Sequence, residues 1–249
     1  MTRVTRMTRA VLIGAMGMAG ALQPGCQSKK EKAPVTLTVA NPRLGAMTVA
    51  VAPALNLSGS ADFDRNRFAD LMASELSYAD GISVIPVSRV LAVLAAQGRE
   101  NIDSPTHAAE VAAWVGADAI LVFAVTEYDP YDPPSIGISA QLYAPRPGPG
   151  VGTVSANTGG EIERSATPAD GTARARIIAE TTGVIDATHE SVVADVRQFA
   201  QGRTADDSPY GWRRFLVSQQ AYIRFCCHVT VRNLLRGSTA DIAGLQSPG

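Results

Sequence analysis

The alternation of short apolar segments with amphipathic segments is the sequence feature that most limits the folds open to this chain. Residues 47–55, "MTVAVAPAL", form a continuous run of apolar and β-branched residues, which is typical of a buried strand. Residues 82–87 and 119–126 predict two further strands, and segments with helical spacing separate the three. The order strand, helix, strand, helix, helix, strand, strand predicts an α/β layer sandwich.

The first helix is predicted over residues 65–78. Asp62 or Asp64 offers an N-cap, and Gly81 supplies a stop signal. Residues with helical spacing form its inward stripe: Phe68, Leu71, Met72, Glu75 and Leu76.

Two more helices and a half-buried strand follow. The second helix ends at Gly98, and the third has Ser104 as its N-cap, Pro105 at its first position and Gly116 as its terminator. Apolar and polar residues alternate over residues 136–143, which predicts a strand with one buried face.

Three other segments complete the sheet and begin the final third. Residues 35–40 alternate and predict an edge strand, and residues 175–180 predict a last strand. Residues 184–202 fit either a hairpin built on "DATHES" or a helix from Thr188 that ends at Gly202. The spacing of the apolar residues favours the helix.

The segment "PYGWRRFLVSQQAYIRFCCHVTVRNLLRG" predicts one long helix that ends at Gly237. Its predicted stripe consists of Trp212, Phe215, Leu216, Tyr222, Ile223, Cys226 and Val229. Residues 238–249 are predicted to form a disordered tail.

The amino-terminal residues have the layout of a secretory signal. Arg3, Arg6 and Arg9 precede an uncharged apolar stretch at residues 10–22. This stretch of about 13 residues is shorter than the ~20 that a membrane-spanning helix needs. Export from the cytoplasm is therefore predicted.

Gly25 followed at once by Cys26 resembles the lipobox of bacterial lipoproteins. In that family cleavage falls before the cysteine, which then carries acyl groups on its sulfur and nitrogen. The match departs from the usual pattern at Gln23 and Pro24. Ordinary cleavage nearby and an uncleaved anchor are the alternatives. Gln27 stands where many inner-membrane lipoproteins have aspartate, so the family's sorting rules imply the outer membrane.

Charge and composition describe a mildly acidic globular chain. Of 22 basic and 23 acidic residues, three arginines lie within residues 1–25, so cleavage leaves 19 basic against 23 acidic side chains. This balance gives no sign of the basic face that nucleic-acid binding requires. The 46% apolar content is enough for one core.

Three stretches of the chain resemble the domain shared by the curli-secretion lipoprotein family CsgG, the TolB amino-terminal domain and the LpoB-type activators of penicillin-binding proteins. Residues 49–56 resemble an "AVxPxxN" strand, residues 85–98 a "vipRxxlxxlLxeqg" segment and residues 116–126 a "GADxilxGxv" segment. The resemblance implies a small mixed sheet packed with helices, similar to an anticodon-binding domain. Such a fold does not fix a function.

The predicted organisation has six parts. They are a lipoprotein signal peptide at 1–25, a tether at 26–34, an α/β domain at 35–144, a flexible Gly/Pro-rich loop at 145–171, a final strand with C-terminal helices completing the domain at 172–237, and the tail at 238–249. The loop contains Pro147, Pro149 and Pro168, which break strand ladders, so it does not resemble the membrane hairpins of curli-type channels.

Candidate chemical groups are interpreted structurally. Cys226, Cys227 and His228 are adjacent on a helix and point about 100° apart, so they cannot converge on one metal ion. The two thiols are expected to be buried and unpaired. His107 with Glu110, and His189 with Glu190, do not form an HExxH motif, and the histidines are expected at helix surfaces or caps.

The sequence "EYDPYDPP" is interpreted as a turn rather than a calcium loop. Its acids are Glu127, Asp129 and Asp132, and its three prolines favour an extended exit from the sheet. Tyr128 and Tyr131 are candidates for a partner-binding edge.

These patterns predict a non-enzymatic lipoprotein of the cell envelope. No GxSxG, Walker A or Rossmann glycine pattern is present, and no catalytic residue, metal site or cofactor is predicted. The predicted partners are the membrane, through N-terminal acyl chains, and envelope proteins at the periplasmic face of the outer membrane. A CsgG-like oligomeric export component is the alternative function, followed by an envelope hydrolase.

Overall fold

The computed structural model describes residues 38–145, 175–201, 203 and 209–237. The predicted signal peptide, Cys26, the tether and the tail lie outside these residues. The predicted loop at 145–171 also lies outside them, apart from Pro145, which ends a strand. Gly202, the predicted end of a helix, is likewise outside.

Six strands and six α-helices form the described fold. The strands are β1 (Met47–Val51), β2 (Leu55–Asn56), β3 (Ile82–Ile85), β4 (Ala119–Asp129), β5 (Ser135–Pro145) and β6 (Ala175–Asp186). The helices are α1 (Arg65–Leu76), α2 (Val87–Ala96), α3 (Pro105–Val115), α4 (Glu190–Gln201), α5 (Arg214–Val217) and α6 (Gln219–Arg236).

The strands make one mixed sheet in the order β3-β1-β4-β5-β6. β1 runs parallel to both of its neighbours, with Val49 opposite Val84 and Ala119. β4, β5 and β6 form an antiparallel meander. The short β2 continues the line of β1 and pairs with β4 at Ala124. This arrangement confirms the predicted α/β fold with a small mixed sheet.

Both faces of the sheet are covered, which explains the continuous apolar run in β1. Val49 and Val51 belong to the larger core cluster, whose helical members come mainly from α1, α4, α5 and α6, with Val87 at the start of α2. Ala50 and Ala52 belong to a second cluster with residues of α2 and α3. Successive residues of a strand face opposite sides, so a doubly covered strand has no polar row.

The predicted N-caps of the first and third helices hold, but Gly81 does not end α1, which stops at Leu76 with Ser77 as its C-cap rather than at residue 78. Asp64 is the N-cap of α1, where its carboxylate accepts hydrogen bonds from the amides of Asn66 at 3.1 Å and Arg67 at 3.0 Å. Ser104 caps α3, and Gly116 ends it with a left-handed φ of 74°.

Several strand lengths differ from the sequence prediction. β1 ends at Val51 rather than at 55, and β3 ends at Ile85 rather than at 87. β4 continues to Asp129 and β6 to Asp186, whereas their predicted ends are 126 and 180. The hairpin between β4 and β5 and the ladder between β5 and β6 continue through polar positions, where hydrogen-bonded pairing replaces the apolar signal. The edge strand predicted at 35–40 is, within the described part, a single bridge from Val39 to Ala79.

Residues 184–202 contain the end of β6 and α4, so the helix interpretation is confirmed and the hairpin is wrong. The helix begins at Glu190, two residues after the predicted Thr188. Two turn residues follow Asp186, and its carboxylate accepts a hydrogen bond from the Thr188 amide at 2.8 Å.

The single long helix predicted before Gly237 is wrong. A short 3₁₀ turn (Gly211–Arg213) and α5 come first, and the chain then breaks at Ser218, which has φ −101° and ψ 112°. The Ser218 hydroxyl accepts a hydrogen bond from the Ala221 amide and so caps α6. The apolar stripe continues across Ser218, but a serine that can cap a new helix divides the segment into two helices at this position.

Candidate functional site

A charged cluster lies inside the protein where α1 packs against α6. The Glu75 side chain is 0% exposed, and three cationic or titratable groups surround its carboxylate. Arg203 donates to both carboxylate oxygens, one of them at 2.8 Å. Arg224 Nε lies 3.1 Å from Oε1, and His228 Nδ1 lies 3.4 Å from Oε2. Glu75 is therefore ion-paired on both oxygens.

Arg203 connects this cluster to the aromatic residues nearby. Its guanidinium carbon lies 4.8 Å from the centre of the Tyr78 ring and 4.5 Å from that of Phe199. The planar guanidinium combines bidentate carboxylate binding with stacking, which a lysine cannot do. Arg203 thereby fixes the segment after α4 to α1.

Sequence reasoning placed Glu75 on the inward stripe of α1 but assigned it no partner. An acid on an apolar stripe is a usable signal, because a buried carboxylate needs a cation beside it. The partners are far away in sequence: Arg203 is 128 residues from Glu75. Only the fold brings them together.

Cys226, Cys227 and His228 point in different directions, as the helix geometry predicts. Both thiols are buried and unpaired, which confirms the expectation for them. His228 instead faces Glu75 and the ring of Phe199. Burial raises the pKa of each thiol well above its ordinary value. The thiols are therefore protonated, and poor nucleophiles, at neutral pH.

His107 differs from the sequence expectation of a surface or capping histidine. It is 6% exposed and has polar partners on both ring nitrogens. Nδ1 lies 3.1 Å from Asp103 Oδ1, and Nε2 lies 2.8 Å from Gln97 Oε1. His107 therefore stabilises the loop between α2 and α3 by bonding to both of its ends. His189, in contrast, is exposed and lies 3.9 Å from Asp186.

Tyr128 and Tyr131, the candidates for a partner-binding edge, have different surroundings. Tyr131 lies in the turn between β4 and β5 and is 75% exposed. Tyr128 is partly buried: its ring packs on Phe63, with centroids 5.7 Å apart, and its hydroxyl accepts a hydrogen bond from Gln219. Partial burial raises the pKa of the Tyr128 phenol.

Two acids of "EYDPYDPP" form hydrogen bonds within the β4–β5 hairpin. Glu127 accepts a hydrogen bond from the Ser135 hydroxyl at 2.7 Å, and Asp129 accepts one from the Tyr131 amide at 3.1 Å. Both acids belong to the end of β4, so the turn interpretation holds only for the residues from Pro130 onward.

A cavity of about 740 Å³ lies between the start of α1 and the end of α2. Charged residues of both signs line it, including Asp62, Arg65 and Glu100. The Arg65 guanidinium is already engaged there, because it donates to the carbonyl oxygens of Ala54 at 3.1 Å and Glu100 at 3.0 Å.

Two negative findings apply to the described ranges. They contain no group of three His, Cys, Asp or Glu side chains arranged to hold a metal ion. Their helices also do not combine the length and apolar character needed to cross a bilayer.

The chain is structurally similar to several solved lipoproteins. Lipoprotein GNA1162 from Neisseria meningitidis is 24% identical, with 39% of this chain and 68% of that chain covered and a TM-score of 0.31. The LpoB C-terminal domain from Salmonella enterica is 14% identical, with 42% and 76% covered and a TM-score of 0.35. The PelC dodecamer from Paraburkholderia phytofirmans is 20% identical, with 40% and 62% covered and a TM-score of 0.26.

These similarities cover about two fifths of the chain. No protein-family model matches the chain, and no curated protein matches it.

Proposed function

We propose that this protein is a lipid-anchored, non-enzymatic component of the bacterial cell envelope. It binds or helps to assemble partner proteins at the periplasmic face of the outer membrane. The observation that carries the proposal is the order of an arginine-rich start, an apolar stretch at residues 10–22 and the pair Gly25 and Cys26. In the proposal, cleavage before Cys26 makes it the first residue of the mature protein, and the cysteine is then acylated.

The anchor acts by confinement. One acyl chain binds a membrane only marginally, whereas two or three hold a protein there stably. Confinement to the membrane surface raises the effective concentration of the domain toward partners in the same layer. The exposed Tyr131, with Tyr128 behind it in the same hairpin, is the proposed contact edge.

The state of the ionisable groups supports a binding role. Glu75 is ion-paired inside the fold, His107 has partners on both ring nitrogens, and the thiols of Cys226 and Cys227 are buried and protonated. Glu75 and His107 hold elements of the fold together.

The test replaces Cys26 with serine in the full-length protein. Labelled fatty acid should be incorporated into the wild-type protein and not into C26S, and C26S should leave the membrane fraction. Cys226→Ala and Cys227→Ala are matched controls, because both should keep the label and the membrane location. Membrane sedimentation and labelling of C26S at the wild-type level would refute the anchor.

A further inference from the structure

A second cavity, of about 230 Å³, lies between α4, α6 and the segment around Val39. Its lining residues are Thr38, Val39, Ala40, Asp195, Gln198, Phe199, Phe225, His228, Arg232 and Arg236. Thr38, Gln198 and Arg236 are exposed, so the cavity reaches the surface on that side. His228 forms its inner end, next to the ion pairs of Glu75.

The basic residues of this cavity form one row. His228, Arg232 and Arg236 are spaced four residues apart on α6, so their side chains lie on one face of the helix. Across the cavity, α4 contributes Asp195, whose Oδ2 lies 3.3 Å from Arg232 Nη2. Asp195 therefore serves as a counterion for Arg232.

Positive charge is in excess around this row. Arg232 and Arg236 line the cavity, and Asp195 is the carboxylate among its lining residues. Arg203 and Arg224 lie outside it and pair with Glu75. Among the described residues, the buried Arg232 Nε has no hydrogen-bond partner. Buried polar atoms of native proteins nearly always have a partner. The described lining of the cavity therefore has one more arginine than carboxylates.

The dipole of α6 explains the position of only one of the three basic residues in this row. A helix C-terminus favours cations within its last turn, and Arg236 is there. Arg232 and His228 lie one and two turns earlier, where the effect has faded. Asp195 pairs with Arg232 and Glu75 faces His228, so among the described residues the positive charge left for an anion in the cavity is that of Arg236.

We propose that this cavity binds a phosphate group. Arginine presents a planar fork of N–H donors that matches phosphate oxygens, and such charge-assisted hydrogen bonds are strong. The volume is below the roughly 300–1,000 Å³ of sites for drug-sized ligands, so it fits a compact anionic group. The group is held by Arg232 and Arg236 and approached by His228 from within.

The test is calorimetric titration of the full-length protein, in detergent, with inorganic phosphate at constant ionic strength. We expect saturable binding to one site in the wild-type protein. Arg236→Gln should weaken it about ten-fold, the loss of one charge-assisted pair. Arg89→Gln, an exposed arginine on α2, is the charge-matched control and should bind like the wild type.

Asp195→Asn gives the opposite test. It removes a negative charge beside the phosphate, so it should tighten binding several-fold, whereas damage to the fold would weaken it. Thermal unfolding of each variant without phosphate verifies folding. Three results would overturn the proposal. They are phosphate binding by the folded wild type that does not saturate, binding by R236Q as tight as that of the wild type, and binding by a folded D195N weaker than that of the wild type.

A parallel titration with glycerol 1-phosphate separates two sources of the group. Tighter binding than inorganic phosphate would identify a phospholipid headgroup, and weaker binding would identify a free phosphate. Both results support the site. If a titration with chloride at the same ionic strength gives the same heat signal as phosphate, the signal comes from charge screening, and the proposal is contradicted.

Discussion

Glu75 occupies a helix position where the spacing calls for an apolar residue. Its neighbours on the stripe, Met72 and Leu76, are in the hydrophobic core, and its own carboxylate is equally buried. The cost of burying this charge is offset by direct pairing with Arg203 and Arg224. The pairing links α1 to α6 through Arg224 and to the segment after α4 through Arg203.

Substitution of Glu75 by glutamine should therefore be strongly destabilising. It keeps the shape of the side chain but leaves Arg203 and Arg224 without a counterion, which should lower the free energy of unfolding by about 3 kcal/mol. Urea denaturation measures the change. Asp70→Asn, at an exposed position on the same helix, is the control and should change stability by less than about 0.5 kcal/mol. Equal stabilities of the two variants would show that the cluster contributes little.

The two buried thiols should make stability fall at alkaline pH. In the unfolded chain the pKa of a cysteine is about 8.5, and burial raises the pKa of Cys226 and Cys227 well above that. Above pH ~8.5 the unfolded state therefore releases protons that the folded state keeps. The free energy of unfolding should decrease by up to about 2.7 kcal/mol per pH unit for the pair, and should not change through the thiols below that pH.

Urea unfolding under reducing conditions between pH 8 and pH 10 tests this dependence. The double variant Cys226→Ala with Cys227→Ala is the control, and its slope against pH should be much shallower. The slope is informative even though the variant is less stable overall. Identical slopes for the two proteins would mean that the thiols ionise equally in the folded and unfolded states.

At the scale of elements, helix caps determine where this chain starts its helices. The α1 cap is made by the Asp64 carboxylate, which accepts two amide hydrogen bonds. Asp64→Ala should lower the free energy of unfolding by about 1 kcal/mol, the usual value for an N-cap. Asp62→Ala is a matched control two residues earlier, with an expected change below about 0.5 kcal/mol. Thermal unfolding measures the stability of the two variants. A larger loss of stability for Asp62→Ala than for Asp64→Ala would contradict the assignment of Asp64 as the N-cap of α1.

The elements that were predicted correctly are those whose signals are local. Ser104, Pro105 and Gly116 each act within one turn of α3, and the doubly buried β1 has its signal in five consecutive residues. The helix break at Ser218 was missed because apolar spacing continues across it and a single serine is a weak signal. The full lengths of β4 and β6 were missed because polar pairs such as Ser139 with Thr182, 2.9 Å apart, maintain the ladder.

The candidate sites also differ in whether their signals are local in the sequence. The direction of Cys226, Cys227 and His228 follows from helix geometry alone, so it was predictable. The partners of Glu75 and the phosphate-binding row with Asp195 depend on the packing of α6 against two other helices. Contacts between residues so distant in sequence depend on the fold and not on any motif.

At the scale of the whole molecule, the sheet divides the domain into two layers. α1, α4, α5 and α6 cover one face and contain the ion pairs and the proposed phosphate site. α2 and α3 cover the other face with a smaller hydrophobic core. The β4–β5 turn projects Tyr131 from the end of the sheet. A partner held at that turn would leave both layers undisturbed.

This arrangement predicts where partners are captured by the anchored protein. Benzoylphenylalanine at position 131 should form photo-crosslinked adducts in intact cells, because the side chain there is 75% exposed on the proposed contact edge. The same substitution at Trp114, which is 59% exposed on α3, is the matched control and should give few adducts. Combination with Cys26→Ser should reduce the adducts at 131, since release from the membrane lowers the effective concentration of partners. Equal adducts at 131 and 114 would show that exposure alone determines capture, and adducts at 114 only would move the contact surface to α3.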